Sequence, residues 1–125
     1  MTRTILIVDD EADILRLAQI SLSKVGGHEV LTAGSGEECL RVLETTVPDA
    51  IILDVMMPIL DGPSTLDRIR DGASTFDVPV VFMTAGGSAA EMDRLRALQV
   101  SGVLSKPFDP IALPGQLAEV LGWSD

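Results

Sequence analysis

Ile5-Leu6-Ile7-Val8-Asp9-Asp10 sets four apolar residues directly against two acids, and the chain repeats the device twice more. Ala50-Ile51-Ile52-Leu53 runs into Asp54, and Val80-Val81-Phe82-Met83 runs into Thr84. A short apolar run suits a strand buried on both faces, as in a parallel sheet covered by helices. Laid side by side as parallel strands, the three runs collect Asp9, Asp10, Asp54 and Thr84 on one edge. That is the edge at which open α/β sheets bind ligands. Carboxylates that lie close raise one another's pKa unless a cation sits among them, and an all-oxygen ligand set favours Mg2+ over zinc or copper. The first expectation is therefore a metal site that contains a potential nucleophile.

Working outward, strands alternate with helical patterns, and the whole reads as a βα unit repeated five times. After Asp10, the apolar residues Ile14, Leu17, Ala18, Leu22 and Val25 follow helical spacing until Gly26-Gly27 stops the helix. A second strand, Val30 to Ala33, leads to Ser35-Gly36-Glu37-Glu38, where a serine and a glutamate three apart can cap each other's backbone donors. Beyond Asp54, Pro58 and Asp61-Gly62 mark a turn before a short helix carrying Leu66 and Ile69. Pro79 introduces the fourth strand. A second serine-to-glutamate box, Ser88 to Glu91, then opens a helix with Met92, Leu95 and Leu98 on one face. The fifth strand is brief, around Val103-Leu104. A last helix is expected from near Asp109-Pro110, carrying Leu117, Val120 and Leu121, with Pro114 distorting its first turn.

With 125 residues, 46% hydrophobic and 22% charged, the chain has the size and composition of one globular domain, expected to occupy 1–125. Four apolar residues ahead of Asp9 are too few for a signal-peptide core or a membrane span, so a cytoplasmic protein is expected. The lone Cys39 excludes an internal disulfide framework and agrees with a reducing compartment. A net charge of -10, with basic residues scattered from Arg3 to Lys106 and never adjacent, opposes direct binding to nucleic acid or to anionic membrane. Cys39 and Met92 fall in helical patterns as packing residues, and His28 lacks the Cys or His partners a metal site needs. Trp123 is read as packed or partly exposed.

Taken together, these landmarks resemble the receiver domain of bacterial two-component response regulators, over essentially the whole chain. The acidic pair Asp9-Asp10, Asp54 followed by Met57-Pro58 and Asp61-Gly62, Thr84-Ala85 and Lys106-Pro107 occur in the family's order. Each motif alone is weak, since a strand-end carboxylate is often a solvated loop residue, Lys106 alone would be a surface lysine and Thr84 a strand-end cap. The combination is specific. The resemblance implies a flavodoxin-like five-stranded parallel sheet of order 2-1-3-4-5 flanked by five helices; a chemotaxis member of this family is a standard example of that order. It further implies Asp54 as phosphoacceptor, with Asp9, Asp10, Asp54 and the backbone carbonyl of Met56 holding Mg2+. Thr84 and Lys106 would bind the phosphoryl group, and the Lys106-Pro107 bond is expected to be cis. Implied partners are a sensor histidine kinase or histidine phosphotransfer protein and a downstream effector protein that reads helix four, strand five and helix five. Trp123-Ser124-Asp125 after the last helix offers no effector segment, so output through another protein is expected.

The chain departs from the family at three places. Val103 stands where many members have a tyrosine or phenylalanine that reorients with the threonine, so aromatic coupling there is absent. Gln99 replaces the glycine usual at the head of the fifth-strand motif, and Gly86-Gly87 makes the loop after Thr84 unusually permissive. Met56 and Gly86, two residues past Asp54 and Thr84, bring no polar side chain to orient a hydrolytic water, which predicts slow unaided dephosphorylation. Two alternatives stand beside this reading. An Mg-dependent aspartate-nucleophile phosphohydrolase usually carries Asp-x-Asp after strand one, whereas the sequence here is Asp9-Asp10-Glu11 with no inserted cap domain. A receiver-like interaction module that never accepts phosphate is opposed by the intact set of Asp9, Asp10, Asp54, Thr84 and Lys106.

Overall fold

A computed structural model describes residues 2–124, so Met1 and Asp125, the two ends of the expected 1–125 span, lie outside it. The described residues run β1 (Thr4–Val8), α1 (Ala12–Ile20), a π-helical turn (Ser21–Val25), β2 (Glu29–Ala33), α2 (Gly36–Leu43), β3 (Ala50–Asp54) and α3 (Gly62–Arg70). They continue with β4 (Val80–Thr84), α4 (Ala89–Arg96), β5 (Gly102–Ser105) and α5 (Leu113–Leu121). All pairings are parallel, in the order β2-β1-β3-β4-β5, the flavodoxin-like arrangement the resemblance implied.

The two-residue period of the strands divides the interior between two faces. Leu6, Val8, Ile51, Leu53, Val80 and Phe82 point to one side, where Cys39 of α2, Leu66 and Ile69 of α3 and Leu95 of α4 cover them. Ile5, Ile7, Ile52, Val81 and Met83 point to the other, beneath Ala18 of α1, Leu22, Phe108 and Leu113 and Leu117 of α5. Each fully buried Val, Leu or Ile contributes about 1.5–3 kcal/mol of transfer free energy. That is why β1, β3 and β4 read as unbroken apolar runs rather than alternating ones.

Register sets the functional edge. Val8 lies opposite Leu53, Asp54 opposite Met83, and Thr84 opposite Ser105, so the strands end nearly level. Gly62 lets α3 start close behind β3, since a Cβ there would stand 2.5 Å from the Asp54 carbonyl oxygen. Three helices start on side-chain caps: Ser35, Asp61 and Ser88 accept from the backbone N–H of Glu38, Ser64 and Glu91 at 3.0, 2.8 and 3.1 Å. Glu38 closes its box one residue early, accepting from Gly34 N–H at 2.7 Å. Asp61-Gly62 is thus a turn and a helix cap at once.

Two expectations need correction. The helical spacing over Ile14 to Val25 places Leu17 and Val25 on the core side, yet they are 39% and 49% exposed. For Val25 the π turn is the cause: Gly26 N–H reaches back to the Ser21 carbonyl at 3.1 Å, and the wider turn rotates the residues after Ile20 off the regular period, whereas Leu17 lies ahead of that turn in regular α1. The last helix starts at Leu113 rather than near Asp109-Pro110. Asp109 ties residues 109–113 into a capped turn, its side chain accepting from Ile111 N–H at 2.8 Å and its carbonyl from Leu113 N–H at 2.9 Å. Pro114 consequently falls in the first turn of α5, where the missing N–H removes no helical bond. Trp123 packs under the Arg3 guanidinium, 4.3 Å from the ring centroid, and joins the α1/α5 core face. Cys39 is buried as a packing residue, and burial pushes its thiol up to about 12.

Candidate functional site

Three loops leave the carboxyl edge of the sheet where β1, β3 and β4 stop, and β5 brings a lysine to meet them. Asp9 follows β1 with its N–H still paired to the Ala33 carbonyl of β2 at 3.1 Å, so its position is an extension of the sheet. Its Oδ1 accepts from Glu11 N–H at 2.9 Å, which turns Oδ2 toward Lys106. Lys106 is placed by its own N–H, which donates to the Thr84 carbonyl at 2.7 Å, and the bond to Pro107 is cis, as expected.

Lys106 Nζ stands 2.7 Å from Asp9 Oδ2, 3.3 Å from Asp54 Oδ1 and 3.4 Å from Glu11 Oε1. Asp9 and Asp54 are only 3% and 4% exposed, whereas Asp10 and Glu11 lie open to solvent. Oxygens of Asp9, Asp10 and Asp54 come within 4.8 Å of one another. The strand-end pattern predicted that Asp9, Asp10 and Asp54 would meet, and the family resemblance alone brought Lys106 into the expectation. Sequence reading missed Glu11 as a partner of Lys106, because a loop glutamate one residue past the acidic pair gives no local signal of where its side chain reaches.

Thr84 is buried at the same edge, but its hydroxyl donates to the Gly86 carbonyl at 2.8 Å, within its own loop. Met56 stands two residues past Asp54 with its side chain in solvent. Beside it, Ile59 is 94% exposed and adopts φ 69°, while Leu60 N–H donates to the Pro58 carbonyl at 2.8 Å in a γ-turn. A β-branched residue in the left-handed region is an outlier, and sequence gave no warning of it. Met56, Met57, Pro58 and Asp61 line a hollow of about 400 Å³ here.

The electrostatics follow from crowding. Burial raises the Asp54 carboxyl, Asp9 and Asp10 raise it further and Lys106 pulls part of the way back, leaving it at about 6. Burial alone would lower Lys106, but its hydrogen bond and charge contact with Asp9, joined by Asp54, outweigh that and hold it above its usual value. One ammonium thus faces three carboxylates. An acidic set of hard oxygen donors, one member reachable from solvent, fits a divalent cation such as Mg2+. A buried carboxylate beside a fixed lysine has the makings of a nucleophile toward an electrophile whose oxygens carry negative charge.

Comparison with known proteins agrees with this geometry. The response regulator receiver domain matches residues 5–118. The chain is 40% identical over 119 residues to the probable transcriptional regulator ycf27 of Guillardia theta, covering 94% of this chain and 44% of that protein. It is 36% identical over 127 residues to the alkaline phosphatase synthesis transcriptional regulatory protein PhoP of Bacillus subtilis, covering 100% of this chain and 51% of that one. The chain therefore spans about half the length of these curated relatives. The chemotaxis protein CheY4 of Vibrio cholerae superposes with a TM-score of 0.87 at 30% identity, covering 96% of this chain and 99% of that one. From its sheet order, its acidic edge and these matches, the chain belongs to the response regulator receiver domain family.

Proposed function

We propose that this chain is a phosphorylation-dependent signalling switch that accepts a phosphoryl group on Asp54. The observation that carries the reading is the buried Asp54 carboxylate 3.3 Å from Lys106 Nζ, with oxygens of Asp9 and Asp10 within 4.8 Å. In the transfer, an Asp54 carboxylate oxygen forms the bond to phosphorus as the donor histidine's P–N bond breaks. The departing imidazole keeps the electron pair and takes a proton from solvent. Asp9, Asp10, Asp54 and the Met56 backbone carbonyl are the groups that would hold Mg2+, which when bound supplies positive charge to the transferring phosphoryl oxygens. Lys106 donates to the same oxygens. Thr84 leaves the Gly86 carbonyl and donates its hydroxyl to the phosphoryl group.

Two such charge-assisted bonds, each about 1.5–3 kcal/mol, match in order the roughly 5.5 kcal/mol that inverts a two-state population from 1:99 to 99:1. The chain catalyses nothing beyond its own phosphorylation and dephosphorylation. Met56 and Gly86 leave the acyl phosphate without a side chain to direct water, so it is long-lived. Exposed Met56, Ile59 and Ile111 sit in loops after β3 and β5, apolar surface that suits a protein phosphodonor, a sensor histidine kinase or histidine phosphotransfer protein. The output is read by a downstream protein or by further chain of the kind the longer relatives carry. The net charge of -10 argues against this segment touching nucleic acid. No helix of the described residues is long and apolar enough to cross a membrane, and the cytoplasm, where kinases meet their phosphoacceptors, is the proposed location.

Incubation with acetyl phosphate and Mg2+ tests the reading by intact-mass measurement. A single stable phosphoryl adduct, absent from Asp54→Ala, is the expected result. Multiple turnover would instead support the hydrolase, and no adduct the inert module.

A further inference from the structure

The two ends of α4 are held in opposite ways. At its carboxyl end the chain leaves the helix through Gln99, which adopts φ 61°, a left-handed conformation that L side chains rarely take. Directly over that turn lies Arg70, the last residue of α3. Its Nη1 donates to the Leu98 carbonyl at 2.5 Å and its Nη2 to the Gln99 carbonyl at 2.9 Å. A planar guanidinium satisfies two consecutive carbonyls of the turn just past the helix end, and its charge sits near the negative end of the helix dipole. Leu98 and Val100, on either side of Gln99, pack against the core face under α2, α3 and α4.

At its amino end α4 hangs from Gly86 and Gly87, at φ 136° and 139°, and a Cβ on Gly86 would meet nothing within 4 Å. Within α4 only Leu95 is buried, so the helix body adds little restraint. The Gly86 carbonyl is the group that the Thr84 hydroxyl holds at 2.8 Å. Phosphorylation as read above withdraws that hydroxyl and releases the loose end, while the Arg70 end stays bridged to α3.

We propose that Arg70 is a positioning residue of the switch: it anchors the carboxyl end of α4, so that movement started at Thr84 is taken up at Gly86-Gly87 and turns the helix about its anchored end. The inference rests on the phosphorylation reading for what starts the motion, but the anchor itself exists in the resting chain. A partner docking on α4 would then read the tilt of a lever with a fixed pivot, rather than the loosening of a helix.

Amide hydrogen exchange on the whole chain, with and without acetyl phosphate and Mg2+, tests it in the parent, Arg70→Ala and Arg70→Lys. In the parent, phosphorylation is expected to change exchange across residues 85–92 while residues 97–100 stay protected. In resting Arg70→Ala, residues 97–100 are expected to exchange about tenfold faster or more, the loss of at least one charge-assisted bond. On phosphorylation of this variant the change should spread through the helix to residue 100. The rate of Asp54 phosphorylation should stay within about twofold of the parent, since Arg70 touches none of the acidic edge. Arg70→Lys, which keeps the charge but cannot bridge both carbonyls, should fall between and serves if the alanine variant does not fold. A merely structural arginine would speed exchange generally without altering where phosphorylation is felt. Unchanged protection at 97–100 in the resting variants, or an unchanged pattern on phosphorylation, overturns the proposal. Failure of Asp54 to accept phosphate overturns the switch reading instead, and the resting comparison then decides the anchor alone.

Discussion

The interior of the sheet and its carboxyl edge are made from the same strands, yet they contribute to folding with opposite sign. Leu53 and Asp54 are chain neighbours at the end of β3, 0% and 4% exposed. Burial of Leu53 removes apolar surface from water and stabilises the fold. Burial of Asp54 strips water from a carboxylate beside Asp9 and Asp10, which Lys106 offsets only in part. The difference teaches that the edge is held in place by the interior, and that its charge crowding is a standing tendency to bind a cation or an electrophile.

The largest expected effect lies on the interior side of this comparison. Leu53→Ala should lower unfolding free energy by about 2–5 kcal/mol, read from urea titration, because a close-packed core relaxes only partly around the cavity. A loss below 1 kcal/mol would mean that the two regions are not as different as their packing indicates. On the edge side, Asp54→Asn should stabilise the metal-free chain, by at most about 3 kcal/mol for a carboxyl raised from 3.8 to about 6. The sign follows from proton binding. Below pH 3.8 both folded and unfolded chains hold the proton and the variant gains nothing. Between 3.8 and 6 the folded chain binds more proton than the unfolded one, so parent stability falls as pH rises, and above 6 the gap is constant. Urea midpoints of parent and variant that run parallel from pH 4 to 7 would contradict this.

Divalent cation sharpens the contrast next. With Mg2+ at a hundred times its dissociation constant, the parent should gain about 2.7 kcal/mol and Asp9→Asn much less, while Leu53→Ala should keep the full increment. Thermal melts with and without EDTA measure it. The smallest effect is at the α4 cap: Ser88→Ala removes the acceptor for Glu91 N–H and should lower stability by about 1 kcal/mol, leaving Asp54 phosphorylation by acetyl phosphate intact. A loss of phosphorylation in that variant would tie the edge to α4 more tightly than the Gly86-Gly87 linkage suggests.

Most of the element order was legible because its signals are local. Apolar runs, serine and aspartate caps and glycine stops each act within one turn or one strand, and β1, β3, β4 and the starts of α2, α3 and α4 follow them. The strand order was legible only through the family resemblance, since periodicity says which residues face a core but not which strands are neighbours. The slips occurred where a local rule meets a longer-range one. Spacing out to Val25 assumed a regular helix, and the π turn at Ser21–Val25 broke that period. Ser21 is buried there with its hydroxyl on the Pro110 carbonyl at 2.5 Å, a contact across 89 positions that no window of sequence contains.

By itself the sequence determined that this chain makes buried parallel strands ending in acids, with capped helices between them, because hydrophobic period and capping chemistry are properties of neighbouring residues. Only the tertiary structure decided that Lys106 lies among Asp9, Asp54 and Glu11, that the Thr84 hydroxyl rests on Gly86, and that Arg70 closes the end of α4. These contacts join segments far apart in the chain, and their ångström-scale placement depends on how the packed layers settle against one another.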